Sequence, residues 1–537
     1  ELRQTLADTA QAAARLLTAR QARSAGAVAP GRLRVSVADM PYLRDHCFFP
    51  QRAGWPELSD RRPVVPATTV LHHLMEFAES RSRGLRAVAV HDLRLTAWTD
   101  AVPAREYELT ARPAGPGRLR TAFGANASAE IELAPGYPAP PPPPQRPGPE
   151  RPCGHRPAEL YRDRWLFHGP AFQGLTELTA LGERHVRGVL TVPPAPGGLL
   201  DNVGQLLGYW TFVTLPERSV IFPVAVRALR FFGPHPAPGT ALACLVRVVA
   251  VTEREIEADA WLTHGDTVWA QIRGWRDRRF GVPPARRSSG YPERRGLSVA
   301  RPEGWSLLFD QWPDLASRDL VMRMYLGRQE REEYARRPPR GRRQWLLGRI
   351  AAKDAVRRWL WERGEGEVFP AEITVRNDPS GRPVAAGAHG RRLPPLALSL
   401  AHRGEAAVAL VGAGSGPAPG VGIDIEEVAG RGEASAAFAL GEGERALLAE
   451  RCANSGESPQ LWFTRFWAAK EAVAKAEGTG LRGRPKDFAV TAAGPAELAV
   501  AVRGRRYRVR SACVTEGGRQ YVVAWTTSPS EDEETNE

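Results

Sequence analysis

An α+β chain of several domains is the fold class the sequence predicts, and three observations predict it. Two long stretches alternate polar with apolar residues in the manner of half-buried strands, and each contains one conspicuous helical segment. A third stretch interleaves amphipathic helices with short apolar strands. Runs crowded with Pro, Gly and Arg separate the three, as linkers do. With 537 residues, 43% of them hydrophobic and 25% charged, the chain has material for about three to five folded units.

Leu2 to Arg23 is rich in Ala, Leu, Gln and Arg, good helix formers, and reads as a helical linker within residues 1–30. In the first half the strand pattern shows at Arg105–Thr110 and Ala129–Leu133, and the helix at Pro66–Ser82. The pattern stops at Ala134. Pro135 to Pro152, with the run Pro140–Pro144, forms neither helix nor ladder and is expected as an extended polyproline linker. Strand patterns resume at Val186–Val192, Thr240–Val251, Ile256–Thr263 and Thr267–Trp275, around a helix at Leu199–Val213. Two β-rich halves with one helix each predict a pseudo-repeat over residues 31–280, two sheets each wrapping its own helix. From Arg276 to Gly296 seven arginines oppose only Asp277 and Glu293, which reads as a second linker, with the domain break at 281–302. Residues 303–527 are α/β in texture: a helix at Gln344–Arg358, strands at Leu396–Leu400, Ala406–Val411 and Val421–Ile425, and a helix at Leu461–Glu477. Residues 528–537, with Glu531, Asp532, Glu533, Glu534 and Glu537, form an acidic tail expected to stay solvated.

Several classes drop out on composition. Gly 52 and Pro 47 gather in a few stretches without a period, which excludes a collagen-like chain. Cys47, Cys153, Cys244, Cys452 and Cys513 are far apart and contain no CxxC pair, so a reducing, cytoplasmic setting fits better than a disulfide framework or a thiolate zinc site. No apolar run is long enough to span a membrane, and no signal-peptide pattern opens the chain. It begins at Glu1 without Met, which fits a segment of a longer chain. The net charge of +13 raises a nucleic-acid reading. Much of that charge, however, sits in linker-like runs such as Arg336–Arg343, and no RNA-stacking motif accompanies it.

The third domain carries the clearest chemistry. In Val421-Gly422-Ile423-Asp424-Ile425-Glu426 the two-residue period of a strand sends both acids to one face and both isoleucines to the other. A solvated strand face is the plain alternative to a Mg²⁺ site, which needs one or two carboxylates beside phosphate oxygens and water. Further on, Trp467, Glu471 and Lys475 fall at i, i+4 and i+8 on one helical stripe, either a surface ion pair or a third carboxylate with a cation beside it. Gly422–Glu426, together with Phe463-x3-Trp467-x2-Lys470-Glu471-Ala472-x2-Lys475-x2-Gly478, closely resembles the paired motifs of 4′-phosphopantetheinyl transferases of the surfactin-synthetase-activating type. Leu398–His402 resembles that family's Ser-x-x-His segment, and Asn377-x3-Gly381-Arg382-Pro383 its Asn-x-x-Gly-Lys-Pro turn, with Arg382 in place of Lys. The resemblance covers about Ser306 to Thr526. It implies a two-lobed α/β transferase of the holo-carrier synthase type, in which Asp424, Glu426 and Glu471 hold Mg²⁺ against the diphosphate of coenzyme A. Glu471 would also take a proton from a carrier serine while Lys475 stabilises charge, and His402, Arg349 and Lys353 would meet the coenzyme's 3′-phosphate. Gly412–Gly416 has the look of a phosphate loop but lacks its strand-to-helix context, and reads as a hairpin connection.

In the first domain, His46 lies among aromatics ahead of Val64-Val65-Pro66, and Asp201 and Gln205 lie one turn apart on an otherwise apolar helix. A carboxyl in apolar surroundings has its pKa raised and can stay protonated as an acid near neutral pH. A lone His in such a place is otherwise structural. His46 with Val64–Pro66, then Phe167-His168-Gly169-Pro170-Ala171-Phe172-Gln173-Gly174-Leu175, then Asp201-x3-Gln205 resemble, in this order, the double-hotdog dehydratase domains of polyketide synthases. Coverage runs from about Gly31 to Arg279. The resemblance implies His46 as the base on the α-proton of a 3-hydroxyacyl thioester, Asp201 as the acid on the departing hydroxyl, and Gln205 as its orienting partner. Two departures stand out: an insertion from Gln51 to Pro63 that can reshape the substrate entrance, and Ala67 where Gly is usual.

A dehydratase followed by such a transferase resembles the tail of iterative, enediyne-type polyketide synthases. The expected partners are coenzyme A and an acyl carrier protein domain of the same synthase, with a homodimer through the dehydratase and neither nucleic acid nor membrane. The alternative is an active transferase beside a hotdog shell without turnover that serves chain binding or dimerisation.

Overall fold

A computed structural model describes residues 29–527 apart from 146–147, 217–218, 282–290, 313, 415–419 and 431–432. The expected N-terminal helix and acidic tail lie outside the described residues. The described residues form two compact units, one holding those before 283 except Gln51–Pro56, the other holding Gln51–Pro56 and those from 291 onward.

In the first unit the chain forms β1 (Gly31–Val35), α1 (Ala67–Ser80), β2 (Arg86–Leu95), β3 (Arg105–Pro113), β4 (Arg118–Phe123) and β5 (Ala127–Ala134). After the proline-rich stretch come α2 (Pro157–Arg162), β6 (Leu175–Leu181), β7 (His185–Thr191), α3 (Gly198–Thr214), β8 (Ser219–Phe231), β9 (Ala241–Val251), β10 (Glu255–His264) and β11 (Thr267–Gly281). α1 buries Val70, Leu71, Leu74, Phe77 and Ala78, the spacing of one helical face. α3 is apolar nearly all round, burying Leu199, Leu200, Val203, Leu206, Leu207, Tyr209 and Trp210, as a helix enclosed by a sheet must.

The two halves were expected to form two sheets. They form one of eleven strands, ordered β1-β3-β4-β5-β2-β8-β11-β10-β9-β7-β6. β2 and β8 pair antiparallel, with Val90 opposite Leu229, so each half covers an edge that would otherwise present unpaired N–H and C=O groups. The supposed linker is also shorter than expected. Arg276–Gly281 is strand, paired with β8, and Asp277 is buried there.

The second unit begins with buried chain: Tyr291, Glu293 and Leu297 are all under a tenth exposed. Then follow β12 (Val299–Ala300), β13 (Trp305–Phe309), α4 (Leu315–Tyr325), α5 (Arg328–Arg336), α6 (Pro339–Trp361), β14 (Ile373–Asn377), β15 (Pro383–Gly387), β16 (Leu396–Arg403) and β17 (Ala406–Ala413). β18 (Gly422–Glu427), α7 (Glu433–Ala439), α8 (Glu442–Ser455), α9 (Pro459–Ala476), β19 (Ala489–Ala493), β20 (Glu497–Val502), β21 (Arg505–Glu516) and β22 (Arg519–Thr526) complete it. α6 packs on β13, β16 and β17, and α9 on β18 and β22. The Arg336–Arg343 run is not a linker: Arg336 closes α5, Pro339 opens α6, and Arg343 pairs with Asp310 and with Glu405 at 2.9 Å.

A repeat emerges here that the sequence reading missed. Ala351-Ala352-Lys353-Asp354-Ala355-Val356 on α6 matches Ala468-Ala469-Lys470-Glu471-Ala472-Val473 on α9. Lys353 reaches Glu330 and the carbonyls of Tyr325 and Pro370, and Glu330 accepts the Val375 N–H. Lys470 reaches Glu444 and the carbonyls of Ala439 and Pro485, and Glu444 accepts the Val490 N–H. Each lobe is thus pinned by one buried, fully hydrogen-bonded ion pair, the arrangement in which two desolvated charges offset their cost.

Candidate active sites

In the first unit, Asp45 joins the two halves. Its carbonyl accepts the Gly169 N–H at 2.6 Å and its carboxylate the Ala171 N–H at 2.9 Å. His46 is thereby brought to His168, with ring centroids 5.2 Å apart, and ligand-type atoms of His46, His168 and Asp201 all lie within 4.8 Å of one another. The Nδ1 of His46 lies 2.7 Å from the Val64 carbonyl, which can only accept, so the proton sits on Nδ1 and Nε2 keeps its lone pair. Burial pulls the His46 pKa from 6.5 down to about 4. The ring is therefore a neutral base at ordinary pH.

Asp201 comes from the first turn of α3. That turn starts at Gly197, whose φ of +75° and whose missing Cβ, which would lie 2.6 Å from the Thr68 backbone, let α3 approach the start of α1. Asp201 Oδ2 accepts from Gln205 Nε2 at 2.8 Å and lies 3.2 Å from His168 Nε2. Gln205 is itself held by Tyr161, whose hydroxyl donates to Oε1 at 2.7 Å, and by the Phe172 carbonyl at 3.0 Å. Asp277, pushed up to about 7 by burial, lies near enough to feel the charge of Asp201.

One expectation is corrected here. Burial alone would raise the Asp201 pKa, but the neighbouring His168 and His46 and the Gln205 hydrogen bond outweigh it, and the carboxyl is held below its usual value. The ends of the insertion are zipped together: Cys47 bridges Pro63, Phe48 N–H bonds the Arg62 carbonyl, and Val64 N–H bonds that of His46. An apolar cleft lined by Ala67, Leu71, Leu200, Val226, Leu229 and Trp275 starts beside Ala67, the first residue of α1.

In the second unit, Gly422 explains its own place in the motif. A Cβ there would lie 1.9 Å from the Ala472 carbonyl oxygen, so only Gly lets β18 lie this close to α9. The contact brings Lys475 Nζ to Asp424 Oδ1 at 2.7 Å and Trp467 Nε1 to Glu426 Oε1 at 3.1 Å, while Ile423 and Ile425 enter the core on the other face. Glu471, on the same stripe, makes no hydrogen bond among the described residues. Burial and the charges of Asp424 and Glu426 push its pKa to about 7, and Asp424 is raised too, chiefly by burial. Asp424 Oδ2 is buried without a partner. Three carboxylates that repel one another, with an orphaned oxygen among them, fit a hard divalent cation that takes carboxylate oxygens. The three are not drawn to within 4.8 Å of one another as a ligand set.

His402, on β16, packs its ring 3.4 Å from the Cβ position of Gly348 on α6, and the charges of Lys475 and Arg349 together with burial lower its pKa. Arg349 is buried, lies 3.4 Å from Asn377 Oδ1 and 4.7 Å from the Trp345 ring, and its Nε has no partner, so the pair can receive an anion. Lys353 cannot. It is fully buried in its ion pair with Glu330, and its expected role against the coenzyme's phosphate is corrected to a structural one. The Ala-Ala-Lys repeat was the signal that could have shown this. Asp354, at the position of Glu471, is satisfied by the N–H groups of Leu297 and Ser298 and by Tyr325, whereas Glu471 is left unbonded. His168, Tyr161 and Asp277 were likewise not singled out from sequence, though His168 lay inside a quoted motif.

Residues 137–287 match the family of the polyketide synthase dehydratase N-terminal domain, a span that includes His168, Asp201 and Gln205 and leaves out His46. Residues 420–526 match the 4′-phosphopantetheinyl transferase superfamily, a span that includes Asp424, Glu426, Glu471 and Lys475. Among curated proteins no match is found. Similar solved structures include the dehydratase domain from the CurJ module of curacin polyketide synthase, 16% identical, covering 47% of this chain and 92% of that one with a TM-score of 0.36. The dehydratase domain of PpsC from Mycobacterium tuberculosis is 16% identical over 48% of this chain and 97% of that one, TM-score 0.36. That of a mycocerosic acid synthase-like polyketide synthase is 19% identical over 46% and 90%, TM-score 0.34. In chain order, a stretch that matches a polyketide synthase dehydratase domain precedes one that matches the 4′-phosphopantetheinyl transferase superfamily.

Proposed function

We propose that the first unit removes water from 3-hydroxyacyl thioesters borne by an acyl carrier protein, and that the second transfers 4′-phosphopantetheine from coenzyme A to a carrier serine. The dehydration reading rests on one observation, a neutral, buried His46 with a free Nε2 facing a carboxylate held by Gln205. His46 takes the α-proton, the electrons of that bond form the double bond, and the hydroxyl leaves as water with a proton from Asp201. The test is the gain of enoyl absorbance from a 3-hydroxyacyl-phosphopantetheine thioester: His46→Ala and Asp201→Asn are expected to abolish it, and either variant working at the parental rate would sink the assignment.

For the transferase, Asp424, Glu426 and Glu471 would hold Mg²⁺, which when bound supplies positive charge against the diphosphate of coenzyme A. Glu471 accepts the serine proton. His402 and Arg349 receive the phosphate at the coenzyme's other end. An active transferase beside an inert hotdog shell has no observation in its favour, because the base and acid positions of the first unit are both filled.

A further inference from the structure

Resting on the dehydration reading, we propose that His168 and Asp201 hold one proton between them, and that this pair, not Asp201 alone, supplies the proton that leaves with the hydroxyl. His168 is in this sense a positioning residue that acts through Asp201. Its Nε2 lies 3.2 Å from Asp201 Oδ2, and the two side chains are 8% and 15% exposed. The same Oδ2 accepts from Gln205, so two donors occupy one carboxylate oxygen and Oδ1 is left for the substrate. The ring is stacked on Phe167 with centroids 4.1 Å apart, a place where a phenyl ring would pack as well. Instead, its Nδ1 is buried without a partner, which costs free energy. Packing alone does not account for an imidazole there.

The groups that face the pair are His46 from the loop before the insertion, Asp45 beside it through the Ala171 N–H, Asp277 from β11 by its charge, and Tyr161 from α2 through Gln205. His46 has its proton on Nδ1, bonded to Val64, and cannot be the donor. With one proton on the pair, the reactive form carries it on Asp201 Oδ1 while the Nε2–H of neutral His168 donates to Oδ2. The Cβ–O bond breaks with its electron pair on oxygen, which takes the Oδ1 proton and departs as water. The α-proton goes to His46 Nε2 and the Cα–H electrons become the double bond. The carboxylate left behind stays hydrogen-bonded to His168, and the proton on His46 returns to the pair before the next cycle. Apparent pKa values of such a pair belong to both groups together.

The test is the pH profile of kcat for His168→Phe and His168→Asn, with circular dichroism as the check on folding. In both variants the proton has to come from Asp201 alone, so the basic limb is expected to move by about one unit or more. Asn, which keeps a donor to Oδ2, is expected to retain more activity than Phe. A merely structural role would lower kcat at every pH and leave the limb in place, which would overturn the proposal. Nitrogen-15 NMR of the imidazoles needs no turnover: the Nε2 signal assigned by its loss in His168→Asn is expected to show a hydrogen bond to a carboxylate in the parent and to change in Asp201→Asn. An unchanged signal overturns the proposal even in an inactive enzyme, whereas a parent without dehydration but with the changed signal fails only the dehydration reading.

Discussion

His46 shows how one side chain links stability to chemistry. Its value in the folded chain, about 4, lies below the ordinary 6.5. Between those two pH values the unfolded chain binds more protons, so stability falls as pH drops from about 6.5 toward 4, by up to roughly 3 kcal/mol. Below the lower value both states are protonated and the loss levels off. Urea melts at pH 7 and pH 4.5 are expected to show this difference in the parent and a smaller one in His46→Phe. Gln205→Ala is expected to be milder than Asp201→Asn in the dehydration assay, because Gln205 orients the acid without passing a proton. Equal losses would mean that Gln205 does more than orient.

At the scale of elements, the buried lysines separate structure from chemistry. Removing one partner of a buried ion pair leaves the other uncompensated, so Lys353→Met is expected to cost about 3–5 kcal/mol in chemical denaturation. Transferase assays at a temperature where the variant stays folded are expected to show an unchanged KM for coenzyme A. A raised KM would return Lys353 to the phosphate site. Gly422→Ala is expected to push β18 off α9 and to abolish transfer, since a Cβ meets the Ala472 carbonyl there; a fully active variant would mean that the contact is not needed. These elements also show what was legible in sequence. α1, α3, α9 and β18 were readable because their apolar period and motif spacing are local. The β2–β8 pairing that fuses the two hotdog sheets was not, since nothing in either strand names its partner across more than a hundred residues. The candidate site residues were legible where a motif carries them. Lys353 was misread because charge on a helix says nothing about which face is buried, and His168 was passed over because its role depends on α3, which is distant in sequence.

For the whole molecule, the shortened linker changes where the chain can be cut. Leu297 N–H bonds Asp354, and Tyr291 and Glu293 are buried, so a fragment from Arg301 is expected to aggregate. A fragment from Pro283 is expected to fold and to melt in one cooperative step. Aggregation of the longer fragment, cured by supplying the first unit, would mean that the two units share a core. The proposed function gives the chain two catalytic centres, the second built on three carboxylates and a lysine. Intact-mass spectrometry of a carrier domain incubated with coenzyme A and Mg²⁺ tests that second centre most directly. The parent is expected to give the mass gain of one phosphopantetheine, Asp201→Asn to give the same gain, and Asp424→Ala to be slow and partly restored by excess metal. Glu471→Ala, and the parent in chelator, are expected to leave the carrier unmodified; full modification in either would contradict the account.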